Sequence, residues 1–304
     1  MSLMTIFITP KGFDRAHIAL IQRNAIRSWK ELEPDVSIVL IGDDPGVAEA
    51  AAELGVRHIP QVKRNAAGTP LLSDIFAIAR NSSDSPLLAY VNADILLMPN
   101  FLEAARKISQ NEQQFLLVGQ RWDLDIRRPV DFSAGWQERL MADVKTRGRR
   151  HPAGGSDYFV FPRSCFETLP DFAIGRSGWD NWMFYEARLK DWKLINCSET
   201  IDIIHQDHDY AHLPGGQPHY RQPESFENVK LAGGQRTVFT LLDCDWVMNR
   251  DGSLSRPRLT KEKFLRETEI FPLVGLKSKV LVDLAFALFH PKKAYGELRK
   301  RKKN

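Results

Sequence analysis

The sequence predicts an α/β fold in which helices flank a mostly parallel sheet. Three observations support this prediction. Short apolar runs alternate with helical patterns over the first two thirds of the chain. The second run stops at residues 42–46 (Gly-Asp-Asp-Pro-Gly), which are typical turn residues. Apolar residues make up 43% and charged residues 26% of the 304 residues, as in a globular protein with enough chain to bury a core.

Eight elements are predicted in the first third of the chain. Strands are expected at residues 3–9, 36–41, 56–59 and 87–92, and helices at residues 17–32, 47–54, 71–80 and 99–109. In the first helix, Ile18, Ile21 and Ala25 recur at the spacing of one buried face. The second helix is expected to close at Gly55. Strands and helices that alternate at this spacing favour parallel pairing.

The middle of the chain is less regular. Further strands are expected at residues 115–121, 157–161, 193–197 and 200–205, and a helix at residues 181–190. Residues 207–234 are rich in Gly, Pro and His, and we predict a long loop there. We therefore assign residues 1–230 to an α/β domain and residues 231–304 to a C-terminal extension.

Composition excludes several classes of protein. Cys165, Cys197 and Cys244 are far apart and form no CxxC motif, so neither a disulfide framework nor a zinc ribbon is expected. The first residues lack the pattern of a signal peptide, and no run of about 18 apolar residues predicts a spanning helix. The formal charge of +4 is too even to indicate nucleic acid as a partner. A reduced, cytoplasmic setting is expected.

Polar side chains follow three of the predicted strands. Thr9 and Pro10 follow the first strand, Asp43 the second, and Asn92 and Asp94 the strand at residues 87–92. Parallel sheets bind their ligands at the carboxyl ends of the strands. A carboxylate at that edge can hold a hard divalent cation, which in turn can bridge diphosphate oxygens. The alternative for Asp94 is an acid that caps a turn.

The segment Tyr90-Val91-Asn92-Ala93-Asp94, with the strand order before it, resembles the DxD region of GT-A glycosyltransferases. The resemblance covers residues 3–210. It implies transfer of a sugar from a nucleotide-sugar donor, with Asp94 binding Mn²⁺ or Mg²⁺ on the donor diphosphate. Asn92 stands where the family has its first Asp, and an amide there equally suits a hydrogen bond to ribose.

The same resemblance implies a donor site around the early strand ends. Thr9, Pro10 and Asp43 look like the nucleoside pocket, although residues 43–46 would form a turn in any case. Arg64, Asn65 and Thr69 precede a helix whose N-terminus favours a diphosphate; the alternative for Thr69 is an N-cap.

Two residues from the middle of the chain complete the expected donor site. Arg121 could neutralise phosphate or form a surface ion pair with Asp123 or Asp125. Asp157, at a strand start after a flexible loop, could contact the donor sugar or the acceptor.

Residues 172–182 resemble the acceptor-side loop of inverting GT-A enzymes. Asp180 would there take the proton from the attacking hydroxyl as general base; its alternative is an N-cap for the following helix. Trp179 and Trp182 could offer an aromatic face to a sugar, or pack in the core as most tryptophans do.

Histidines are concentrated in residues 205–212. GT-A enzymes often complete the metal site with a His at the end of a late strand, and His205 fits that place best, with His208 second. Either His could instead be structural.

The C-terminal extension has a pattern of its own. Residues 276–289 form an apolar stripe at helical spacing, and residues 291–304 hold seven basic side chains and one acid, a charge of +6 against −2 for the rest. An anionic membrane surface suits such a segment. The alternative is a helix docked on the core with a solvated tail.

The sequence thus predicts a metal-dependent glycosyltransferase that acts on a saccharide or lipid-linked hydroxyl acceptor. By analogy with bacterial enzymes of this kind, the product is a cell-surface polysaccharide, made at the inner face of the membrane. A sugar-nucleotide pyrophosphorylase is an alternative. Such an enzyme should have a Gly-rich loop with basic residues after the first strand, and residues 10–12 match that loop only weakly. A metal-dependent hydrolase using residues 205–212, or an inactive homologue that serves as a binding partner, also remains open.

Overall fold

The computed structural model describes residues 2–208 and 219–301. Its strands, numbered in chain order, form two sheets. The larger has nine strands: β1 (Met4–Ile8), β2 (Val36–Ile41), β3 (Arg57–Ile59), β4 (Leu87–Val91), β6 (Phe115–Val118), β9 (Tyr158–Pro162), β10 (Lys193–Asn196), β12 (Trp246–Met248) and β13 (Leu254–Ser255). The smaller has four: β5 (Ile95–Leu97), β7 (Trp122–Leu124), β8 (Arg149–Arg150) and β11 (Ile203–Gln206).

The nine-stranded sheet has the order β13-β12-β10-β6-β9-β4-β1-β2-β3. Its pairs are parallel except at β9, which runs antiparallel to both neighbours, and at the edge strand β13. The predicted mixed, mostly parallel α/β fold is therefore confirmed. All residues of β1, β4 and β9 are buried, which explains their continuous apolar runs.

Ten α-helices lie in the described residues. They are α1 (Ala16–Lys30), α2 (Val47–Leu54), α3 (Leu72–Asn81), α4 (Pro99–Ser109), α5 (Trp136–Arg147), α6 (Trp179–Leu189), α7 (Pro223–Leu231), α8 (Lys261–Val274), α9 (Lys279–Phe289) and α10 (Pro291–Arg301). Helix α1 packs on β2 and β5, α3 on β1 and β2, and α6 on β6 and β10. No helix in the described ranges is long and apolar enough to cross a membrane.

The structure corrects the prediction in two places and adds two strands to the main sheet. Helix α7 lies inside the predicted loop of residues 207–234, because Pro223 opens a regular helix there. The four-stranded sheet was not predicted as a unit, since its strands are two to four residues long and pair across distant parts of the chain. Strands β12 and β13 belong to the main sheet although they follow residue 230. The boundary at residue 230 stays a prediction.

Candidate active site

The smaller sheet brings together three side chains that are far apart in sequence. Asp94 lies in the turn between β4 and β5. In β11, His205 pairs with Ile95 of the antiparallel β5 on one side and with Asp123 of the parallel β7 on the other. The register of these short strands therefore places His205 between Asp94 and Asp123.

Asp94, His205 and His208 form a cluster that fits a metal ion. The Nε2 of His208 lies 3.1 Å from Asp94 Oδ2, and the Nε2 of His205 lies 3.9 Å from the same oxygen. One ligand atom from each residue lies within 4.8 Å of the others. The Asp94 Oδ1 atom is buried and has no hydrogen-bond partner among the described residues. A buried carboxylate oxygen without a donor is suited to a cation.

The electrostatics keep Asp94 ionised. Burial alone would raise its pKa, but the hydrogen bond from His208 and the nearby charges of His205 and Lys11 outweigh burial and hold the pKa of Asp94 well below its usual value. Burial in turn lowers the pKa of Lys11, and the charge of Asp94 opposes that effect. Lys11 lies in the loop after β1, and the sequence indicates it only as part of the basic loop at residues 10–12 and not as a neighbour of Asp94.

Asp123 supports His205 from the side opposite Asp94. Its Oδ1 lies 3.2 Å from His205 Nδ1. Arg121 Nε donates to Asp123 Oδ1 over 2.8 Å, and His151 Nδ1 lies 2.8 Å from Oδ2. The distance between Asp123 and His205 is that of an ion pair, and His205 Nδ1 makes no hydrogen bond of regular geometry among the described residues. A carboxylate beside one imidazole nitrogen is a common arrangement behind metal-bound histidines. From the sequence, Asp123 is expected only as an ion-pair partner of Arg121, since the strand register that gives it this position is not visible in the sequence.

Asp157 joins Asn92 and Arg121 in one polar network. Asn92 Nδ2 donates to Asp157 Oδ1 over 2.8 Å, and Arg121 NH1 lies 2.7 Å from the same oxygen. Arg121 thus forms an ion pair with Asp123, which was one of its two expected roles, and a second ion pair with Asp157. Both ion pairs are largely buried, whereas the alternative considered for Arg121 was an ion pair on the surface.

The early strand ends place Asp43 beside Arg64. Arg64 NH2 lies 2.6 Å from Asp43 Oδ1, and its NH1 donates to the Gly68 carbonyl over 2.8 Å. The hydrogen bond from Arg64 lowers the pKa of the exposed Asp43. Thr9 Oγ1 is buried without a hydrogen-bond partner in the described part of the chain, and Pro10 next to it is buried.

Asn65 links the Thr69 backbone to the side chain of Glu224. Asn65 Oδ1 accepts from the Thr69 backbone N–H over 3.0 Å, while its Nδ2 donates to Glu224 Oε1 over 2.7 Å. Helix α3 has Leu71 as its N-cap, so Thr69 is not a cap. Glu224 also pairs with Arg176 at 2.8 Å. It went unassigned because it lies on α7, in the predicted loop.

Asp180 lies in the first turn of α6. The N-cap is Gly178, with a φ of +108°, so Asp180 does not cap the helix. Its Oδ1 accepts from the Gly178 backbone N–H over 3.2 Å. Burial, with a contribution from the charge of Asp157, raises the pKa of Asp180 above its usual value. The other oxygen faces Gly155, where a Cβ would come within 3.2 Å of Oδ2.

Three of the site carboxylates surround the end of β4. Burial raises the pKa of Tyr90, and the charges of Asp94, Asp157 and Asp180 add to that effect. The site therefore combines a group of possible cation ligands (Asp94, His205 and His208) with the carboxylate of Asp180, whose pKa is raised, near the end of β4.

The structure corrects the expectation that Trp179 and Trp182 offer an aromatic face to the acceptor sugar. They are 6% and 7% exposed. The Trp179 ring packs 5.0 Å from Tyr90, and the Trp182 ring 5.3 Å from Phe172. Both rings pack in the core, the alternative left open above. Asp209 and His212, the other polar residues of the histidine-rich segment, lie outside the described residues.

Comparison with known proteins gave matches among solved structures alone. No protein-family model and no curated protein sequence matches the chain. Mannosyltransferase PcManGT from Pyrobaculum calidifontis, in complex with GDP-Man and Mn²⁺, is similar with a TM-score of 0.42 and 11% identity over 67% of this chain; the chain spans 56% of that protein.

Glucosyl-3-phosphoglycerate synthase from Mycobacterium tuberculosis is similar in two structures. One has a TM-score of 0.47 and 12% identity, covering 77% of this chain and 81% of that one. The other, in complex with Mg²⁺ and UDP, has a TM-score of 0.48 and 12% identity, covering 77% and 80%. All three matches have TM-scores below 0.5 and identities of 11% or 12%.

Proposed function

We propose that the protein transfers a sugar from a nucleotide-sugar donor to a hydroxyl acceptor, with a divalent cation on the donor diphosphate. The observation that carries the proposal is the cluster of Asp94, His205 and His208, in which a buried carboxylate oxygen lacks a donor among the described residues. It lies at the carboxyl end of a parallel sheet, where such folds bind nucleotides.

The residues around the cluster receive the following roles. A bound cation would neutralise the charge that develops on the departing diphosphate. The buried, ionised Asp94 and the two imidazoles supply its protein ligands. The donor's nucleoside and phosphates are assigned to residues of the neighbouring loops. These residues are Thr9, Pro10, Asp43, Arg64, Asn65, Thr69, Asn92 and Arg121, with Asp157 toward the sugar.

In an inverting reaction, we assign Asp180 the role of the general base that takes the proton from the acceptor hydroxyl. The acceptor oxygen forms a bond to the anomeric carbon as the bond from that carbon to the diphosphate oxygen breaks. The electron pair of the broken bond leaves with the nucleoside diphosphate, and the hydroxyl proton passes to Asp180. The raised pKa of this carboxyl makes it a better base than an ordinary Asp. A retaining reaction would not need this base.

We place the reaction in the synthesis of a bacterial cell-surface polysaccharide, at the inner face of a membrane. The resemblance of the motifs to such bacterial enzymes supports this assignment. Cys165, Cys197 and Cys244 are all buried free thiols, which suits a reducing compartment.

Thermal unfolding with nucleoside diphosphates tests the proposal. GDP and UDP are each added at about 100 times Kd, with and without Mn²⁺, and we expect the matching nucleotide to raise Tm by about 5 °C in the presence of Mn²⁺. Asp94→Asn should abolish the dependence on Mn²⁺. A metal-dependent hydrolase would respond to Mn²⁺ alone. If no nucleoside diphosphate stabilises the protein under any condition, the transferase proposal is wrong.

A further inference from the structure

Among the described residues, the exposed large apolar side chains are confined to one stretch of the sequence. Thirteen large apolar residues are exposed in the described structure, and all of them lie between residues 220 and 295. The described residues 2–208, which form most of the main sheet and the candidate site, have none. Scattered exposure would need no explanation, but this concentration indicates a surface with a partner.

Helix α9 is the centre of this surface. Val282 and Phe286 are buried and turn toward the body, where α9 packs on α8. Val280, Leu284 and Leu288 follow at intervals of four residues and are 71%, 63% and 79% exposed. Four-residue spacing aligns them in one row along the helix. A helix that is apolar on both sides is normally covered on both, so the outer row of α9 needs a cover.

The surface continues on both sides of α9. Phe271 and Leu276, at the corner that leads from α8 into α9, are exposed. Lys292 and Lys293, at the start of α10, are also exposed and follow the apolar row directly. An apolar row bordered by lysines is typical of helices that lie in a membrane interface.

The charge of the chain is divided in the same way. Residues 256–304 hold fourteen Lys or Arg and five Asp or Glu, a formal charge of +9. The whole chain carries +4, so the first 255 residues carry −5. An anionic surface attracts the C-terminal segment, whereas a second copy of the chain would bring two segments of +9 together. Charge therefore favours an anionic lipid surface over self-association as the cover of α9.

We propose that the outer row of α9, with Lys292 and Lys293 of α10, docks on an anionic membrane and lies parallel to its plane. Val280, Leu281, Leu284 and Leu288 enter the boundary between headgroups and acyl chains, and the lysines stay at headgroup level. This docking rests on the proposed location at a membrane and names the surface of the protein that makes the contact. It needs neither nucleotide nor cation, so it can fail or succeed independently of the proposed reaction.

Vesicle co-sedimentation of the full chain tests the docking. With vesicles of phosphatidylcholine and phosphatidylglycerol, we expect binding that weakens in high salt, and little binding to phosphatidylcholine alone. The double variant Leu284→Glu, Leu288→Glu should bind the anionic vesicles at least tenfold more weakly. Leu231→Glu, at an exposed leucine of α7, is the matched control and should bind as the parent does.

Two further measurements keep the test decisive. Circular dichroism and Tm of the double variant should match the parent, since Leu284 and Leu288 are 63% and 79% exposed. Size-exclusion chromatography with light scattering should give a monomer. A dimer that the double variant dissociates would show that the row joins two copies, and that result would overturn the membrane proposal. Parent and double variant binding the anionic vesicles equally well would overturn it too.

Discussion

At the scale of single residues, the candidate site depends on how His205 is oriented. The imidazole has Asp94 near Nε2 and Asp123 near Nδ1, at 3.9 Å and 3.2 Å. Asp123 is in turn held by Arg121 and His151. We assign Asp123 a positioning role that it exerts through His205. Asp123 also belongs, with His205 and Asp207, to a second group of side chains that could hold a cation.

Asp123→Asn should weaken Mn²⁺ binding by about tenfold, since the loss of such an outer partner typically costs 10–100-fold in metal affinity. Titration of Mn²⁺ into the nucleotide-free protein by calorimetry measures the effect. Asp125→Asn is the control, because Asp125 is exposed and pairs only with the exposed Arg127 among the described ion pairs. Equal Mn²⁺ affinity in Asp123→Asn and the parent would remove Asp123 from this role.

Asp180 gives a prediction about pH. Its raised pKa means that acid protonates this carboxyl earlier than an ordinary Asp, and the protonated form cannot accept a proton. The transfer rate should therefore rise with pH through the pKa of Asp180 and level off above it. Asp180→Asn should lower kcat by about 10²–10⁴-fold and should remove the rise of the rate with pH. Nucleotide binding should be retained.

The matched comparison for this carboxyl is Asp191→Asn, at an exposed residue after α6. It should keep the parent's rate and pH profile. Asp180→Asn with parental kcat would assign the acceptor proton to another group.

At the scale of elements, α6 carries Asp180 into the site through an unusual start. Gly178 has a φ of +108°, and a Cβ at that position would meet Val229 Cγ2 of α7 at 3.0 Å. Both the backbone conformation and the contact therefore require glycine. The two helices that meet here, α6 and α7, hold Asp180 and Glu224.

Gly178→Ala should lower the free energy of unfolding by about 1–3 kcal/mol, because the alanine is strained at this φ and α7 must move. Urea denaturation measures the loss. Gly154→Ala is the control, since Gly154 has no atom within 4 Å of its Cβ position and no positive φ. Similar stabilities of the two variants would show that the α6–α7 contact tolerates a methyl group.

Local signals were enough to predict some elements and not others. Helices α2 and α4 were predicted with the bounds that the structure shows, because Gly55 ends one and Pro99 begins the other. The strands of the smaller sheet are too short to have a period of their own, and their pairing is set by tertiary contacts. Asp94, His205 and His208 could thus be named from the sequence, whereas Asp123, Lys11 and Glu224 required the fold.

At the scale of the whole molecule, α8 attaches the C-terminal segment to the α/β body through charges. Arg266 Nε lies 2.7 Å from Asp243 Oδ1, and the Asp243 side chain is 1% exposed. Arg188 pairs with Glu267 at 2.9 Å. These contacts are buried or half-buried, unlike the exposed outer row of α9.

Arg266→Met should destabilise the protein by about 3–5 kcal/mol, because it leaves the carboxylate of Asp243 buried without its cation. Urea unfolding provides the measurement, and Arg258→Met, at an exposed arginine before α8, should change little. A loss under 1 kcal/mol would mean that the hydrogen bonds from Thr240 suffice for Asp243.

The distance along the chain between the residues of the cation cluster has a consequence for synthesis. Asp94 and His208 are 114 residues apart in sequence. During translation, the aspartate turn leaves the ribosome long before the strand that holds His205, so no nascent chain that ends before residue 208 can assemble the whole cluster. A product truncated before residue 205 would keep the turn at Asn92–Asp94 and lack both histidines of the cluster. The site is thus assembled late, as a property of a long stretch of chain and not of the motif by which it is found.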